Sequence, residues 1–116
     1  MRKVLIALAL TSVAIFSVAA VSQGATGSAR SGGTLRGTVG PGMTISISPR
    51  AVKAGTYTVI VSDKSKIHNF HIIGTSVKTL VPFVGTKSFK VTLKKGTYHF
   101  QCDPHHAVQK GSFKVS

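Results

Sequence analysis

The chain has 116 residues, with 15 Lys and Arg against two acids, Asp63 and Asp103, for a formal charge of +13. Its single cysteine, Cys102, excludes an internal disulfide, and its two isolated acids leave no carboxylate pair for general acid–base catalysis. The charge favours anionic partners, whereas lysines scattered singly among strand residues, with no aromatic stacking platform, argue against nucleic acid.

Met1-Arg2-Lys3 is a positive start, and the 18 residues from Val4 to Val21 are uncharged and mostly Ala, Leu, Val and Ile. Val18-Ala19-Ala20 offers small residues for cleavage, so residues 1–20 read as a signal peptide. Retention as a membrane anchor is the alternative. No cysteine near residue 20 is available for a lipid anchor. Residues 21–33, "VSQGATGSARSGG", read as a flexible Gly/Ser-rich linker. A single folded domain is expected over 34–116, and losing Arg2 and Lys3 takes the charge from +13 to +11. These features predict a secreted or periplasmic protein, on the outer face of the membrane, with no integral membrane domain after the signal.

Within 34–116 the pattern predicts seven strands. They are Thr34–Val39, Thr44–Ser48, Thr56–Ser62, His68–Ile73, Lys87–Leu93, Thr97–Cys102 and Ser112–Val115. Turn residues separate them, at 40–42, Ala54-Gly55, Gly74, Gly85, 94–96 and Pro104. No stretch after residue 33 holds a helical period, so the expected fold is all-β: an antiparallel Greek-key sandwich. The echo between "KAGTYTV" at 53–59 and "KKGTYHF" at 94–100 reads as shared turn chemistry rather than a repeat.

Strand parity sorts the polar residues. Tyr98, Phe100 and Cys102 share one face, and their aromatics mark it as the core side. By the same alternation His68, Phe70 and Ile72 point inward, and Asn69, His71, His99 and Gln101 point outward. His105 and His106 occupy the turn after Cys102. One thiolate and two imidazoles with a weak fourth donor suit copper in both oxidation states. A buried thiol with an unrelated strand-end histidine is the plainer alternative. Asp63 reads as shaping the Ser62–Ser65 turn, and Lys64, Lys66 and Lys110 as surface charges.

"IHNF" at 67–70 and "YHFQCDPH" at 98–105 resemble the plastocyanin/azurin-type cupredoxins, small blue-copper proteins. The resemblance spans roughly Gly55 to Ser116. It implies His68, Cys102 and His105 as ligands of one mononuclear copper ion, with Asn69 bracing the loop and the sulfur. It also departs from the family. No methionine lies downstream of Met43, so the usual axial thioether is missing. Gln109 is the available fourth ligand, as in stellacyanin-like members. The expected function is that of a secreted copper-binding electron carrier, not an enzyme. It would act as a monomer with an acidic redox partner, and with peripheral association to anionic surfaces open to it. Copper sequestration or delivery, a metal-free basic adhesive module, and zinc as the ion are the alternatives.

Overall fold

The computed structural model describes residues 32–116. The expected signal peptide, 1–20, and the linker up to residue 31 lie outside the described residues. Among the described residues, no helix is long and apolar enough to cross a membrane.

Among the described residues, eight strands form two four-stranded sheets. They are β1 (Thr34–Val39), β2 (Ile45–Ser48), β3 (Ala51–Val52), β4 (Gly55–Asp63), β5 (His71–Ile72), β6 (Gly85–Leu93), β7 (Gly96–Gln101) and β8 (Lys110–Val115). One sheet runs β2-β1-β4-β6, the other β3-β8-β7-β5. The expected all-β sandwich is observed. Its sheets are mixed rather than purely antiparallel, because β1 pairs with β4, and β3 with β8, in parallel. Those partners are far apart in sequence, so local turn signals do not report their direction.

The core lies between the sheets and follows the period of two. In β4, Tyr57, Val59, Val61 and Asp63 are buried while the intervening residues face outward. Leu35, Ile72, Phe100, Phe113 and Val115 close the layer from the other strands. Two aromatic rings set its centre. Phe70 stacks on Phe100 with centroids 5.7 Å apart. Each ring lies over a glycine: a Cβ at Gly37 would stand 2.5 Å from Phe70 Cζ, and one at Gly111 would stand 2.5 Å from Phe100 Cζ. The glycines let the rings pass close to the β1 and β8 backbones. The rings belong to the segments that carry His68 and Cys102.

Four connections meet at one pole. β1 and β4 both run toward it, and β7 ends there. The pole comprises residues 40–44, 64–70, 79–84 and 102–109. The last two are located by Gly85 pairing with Asp63 and by the turn after Gln101.

The predicted strand at His68–Ile73 shrinks to His71–Ile72. The ladder ends because its donors go elsewhere: the Phe70 N–H donates to Thr79 Oγ1 at 2.9 Å, and the Asn69 N–H faces Cys102 Sγ at 3.5 Å. Asn69, expected outward by parity, is therefore buried.

Candidate metal centre

Cys102 ends β7's core-facing row and is fully buried. The chain then makes one 3-10 turn, Asp103–His105, with Pro104 inside its first turn. Proline suits that position, since its missing N–H would have no partner there. The His105 N–H donates to the Cys102 carbonyl at 3.1 Å, and the Gln109 N–H to the His105 carbonyl at 2.8 Å. The Cys102 N–H returns to the Gln109 carbonyl at 3.0 Å. A Cys-x-x-His spacing thus delivers a thiol and an imidazole from one closed loop. His68 arrives from the 64–70 connection, 1% exposed.

The three side chains converge. His68 Nδ1 lies 3.7 Å from Cys102 Sγ, His105 Nδ1 lies 3.5 Å from it, and the two Nδ1 atoms are 3.1 Å apart. All three ligand atoms fall within 4.8 Å of one another, a group that can hold a metal ion. Ligand atoms about 2.0–2.3 Å from a shared ion, at angles of about 100–120°, stand about 3.1–3.8 Å apart, which brackets the observed separations. The tautomer fits as well. His68 Nε2 donates to the Pro41 carbonyl at 3.3 Å, which leaves the Nδ1 lone pair facing the sulfur. Three lone-pair donors this close repel unless a proton or a metal cation lies among them.

Gln109 is 1% exposed. Its Nε2 donates to the Thr44 carbonyl at 2.8 Å and reaches the Gly42 carbonyl at 3.4 Å, so the amide is anchored on the 40–44 connection. Its Oε1 is buried and has no hydrogen-bond partner among the described residues. A buried amide oxygen left without a donor is costly, on the order of 1–3 kcal/mol, and a cation would satisfy it.

A second network backs the sulfur. Asn69 Nδ2 donates to Asp103 Oδ2 at 2.9 Å and to the Thr79 carbonyl at 3.1 Å, and Asn69 Oδ1 accepts the Asp103 N–H at 2.7 Å. Partial burial on its own would raise the Asp103 carboxyl. Hydrogen bonds from Gln101, Asn69 and His71 outweigh burial and hold it down to about 2. Asp63 is shifted the other way. Burial raises its carboxyl against the lowering effect of the Ser65 N–H, the Thr79 hydroxyl and nearby His68. Its Oδ1 accepts the Ser65 N–H at 3.1 Å, the turn-shaping role expected of it.

Of the other histidines, His99 and His106 are exposed and stand outside the group. His71 is outward, as parity predicts, but its Nδ1 meets Asp103 Oδ1 at 3.0 Å. Thr79 and Asp103, which join the network, carry no motif that would single them out from sequence. Five of the six exposed large apolar side chains among the described residues lie on the pole's connections: Met43, Ile67, Leu80, Val84 and Val108.

No family model and no curated protein matches the chain. Among solved structures, 57 chains match it, so the fold does not rest on one neighbour. One is a chain of a heme-copper terminal oxidase dimer determined by cryo-EM. The two share 18% identity and a TM-score of 0.54, over 78% of this chain and 66% of that one. This chain therefore spans just under two thirds of its neighbour's length. The likeness shows the fold, a cupredoxin-like β-sandwich.

Proposed function

We propose that the protein binds one copper ion through His68, Cys102 and His105, with Gln109 as the fourth donor, and that it carries electrons outside the cytoplasm. The observation that carries this reading is the 3.1–3.7 Å convergence of one buried sulfur and two imidazole nitrogens. A thiolate with two imidazoles and a weak amide donor is a set chosen by copper, and copper held there supplies a one-electron couple. The solved neighbour belongs to a heme-copper oxidase, and that supports copper over zinc.

The chain's own residues do the rest. The β7–β8 turn and the Phe70–Phe100 stack hold the ligands in one arrangement, which limits the rearrangement between oxidation states. The Asn69 N–H stabilises negative charge on the sulfur. His105 is half-buried while Cys102 and His68 are enclosed, so the loop imidazole is the ligand nearest to solvent. The apolar side chains on the pole's connections offer a dry contact surface, with Lys64, Lys66 and Lys110 on the same connections or at their edge. A monomer docking this pole on an acidic redox protein follows from that arrangement. The reading is of a carrier rather than an enzyme.

The test is redox cycling of the copper-loaded protein. A carrier retains one copper per chain through repeated oxidation and reduction and exchanges electrons rapidly with small redox reagents. Loss of copper on reduction or oxidation would instead favour sequestration or delivery.

A further inference from the structure

His71 stands outside the ligand group, on the two-residue edge strand β5. Register places it opposite Gln101 on β7 and bridges it to Lys78. This brings three donors to the Asp103 side chain in addition to Asn69. On Oδ1 it receives His71 Nδ1 at 3.0 Å and Gln101 Nε2 at 2.8 Å. On Oδ2, Asn69 Nδ2 is at 2.9 Å and Lys78 Nζ stands off at 3.8 Å. An ionised carboxylate only accepts, so His71 carries its proton on Nδ1.

The path to the sulfur is short. Asp103 holds both ends of the Asn69 amide, through Nδ2 on its carboxylate and Oδ1 on its own backbone N–H. The backbone N–H of the same Asn69 faces Cys102 Sγ. If the Asp103 carboxylate turns away, the amide keeps the Thr79 carbonyl and the Asp103 N–H but loses its charge-assisted partner, and the N–H···S contact loosens. Of the groups that fix Asp103, Gln101 ends β7 immediately before Cys102 and moves with the loop. Lys78 is long-range and mostly exposed, and such pairs contribute little. His71 is the half-buried, charge-assisted donor that ties the loop to a different strand.

We propose that His71 is a positioning residue for the Cys102 sulfur: by donating from Nδ1 to Asp103 it locks Asn69 and thereby sets the N–H···S contact. The proposal takes the ligand assignment of Cys102 as its setting, but its first test needs no metal. In the metal-free protein, the rate at which a thiol reagent modifies Cys102 reports how tightly this loop is held. His71→Ala should speed modification by about tenfold or more, the effect of losing one charge-assisted bond. His71→Asn, whose amide nitrogen stands near the lost Nδ1, should return to within about twofold of wild type. Lys78→Ala should stay within about twofold as well. Global unfolding midpoints of the same variants separate positioning from mere stability. In the copper-loaded protein, His71→Ala should shift the thiolate-to-copper absorption and lower the reduction potential, since a sulfur with a weaker N–H contact donates more strongly to the oxidised ion.

A wild-type thiol rate in His71→Ala would overturn the proposal. So would acceleration fully accounted for by lost global stability, or failure of His71→Asn to rescue. If wild-type protein forms no visible band with copper, the copper reading fails, and the thiol rates still decide the role of His71.

Discussion

Gln109 is the donor proposed to tune the copper centre. Its Nε2 is bound to the 40–44 connection while Oε1 is left without a donor. An amide oxygen is a harder donor than a thioether and favours Cu(II) over Cu(I). Gln109→Met should therefore raise the reduction potential by ~59 mV or more, a tenfold change in relative affinity for the two states. Its spectrum should also differ from wild type. Potentials of wild type, Gln109→Met and Gln109→Ala in one buffer check this, and three equal values would show that Gln109 is not a ligand. Asp103 gives a pH prediction for the metal-free protein. Its carboxyl sits at about 2 in the fold against an ordinary 3.8. A folded value depressed in this way contributes stability above about pH 4 that is lost as pH falls toward 2. Asp63, raised by burial, works in the opposite sense. The unfolding midpoint of wild type should therefore fall more steeply between pH 4 and 2 than that of Asp103→Asn. Equal slopes would contradict the role given to the carboxylate.

At the scale of elements, legibility followed locality. Thr34–Val39 is a strand with the bounds its alternation predicts, and the β7 parity that buried Phe100 and Cys102 held to the last residue. These patterns belong to a single strand. Three features were hidden because they depend on partners distant in sequence. The β1–β4 and β3–β8 pairings are parallel, β3 is only two residues long, and His68–Phe70 leaves the ladder because Thr79 and Cys102 receive its N–H groups. The last point also explains why Asn69, outward by alternation, lies buried with its N–H facing the sulfur. Cys102 and His105 are readable together because one turn carries both, whereas His68, distant in sequence, is joined to them only by the resemblance that 67–70 carries. Thr79 and the acceptor role of Asp103 were not, since nothing local marks them. The glycine–aromatic contacts make an element-scale prediction. A methyl at Gly111 meets Phe100, and one at Gly37 meets Phe70, each against ring atoms that are themselves stacked. Gly111→Ala and Gly37→Ala should each cost about 1–3 kcal/mol in denaturant unfolding of the metal-free protein. Wild-type midpoints would show that the rings have room to move.

Across the whole molecule, charge and apolar surface are arranged differently. Among the described residues the lysines and arginines are spread over many strands and loops, whereas exposed large apolar side chains gather on the connections of the candidate metal pole. In the proposed carrier, the first supplies long-range attraction without orientation and the second supplies the docking surface. Association with an acidic redox protein should therefore slow by about tenfold or more between low and high salt. Salt-independent rates would confine the lysines to solubility. The most direct measurement of the central claim is an absorption titration of metal-free protein with Cu(II), set beside Cys102→Ser. The account predicts intense thiolate-to-copper charge transfer in the visible, saturating at one copper per chain and absent in Cys102→Ser, because a hydroxyl oxygen cannot provide that transition. A wild-type protein that stays colourless, or a Cys102→Ser protein that colours equally, would contradict it.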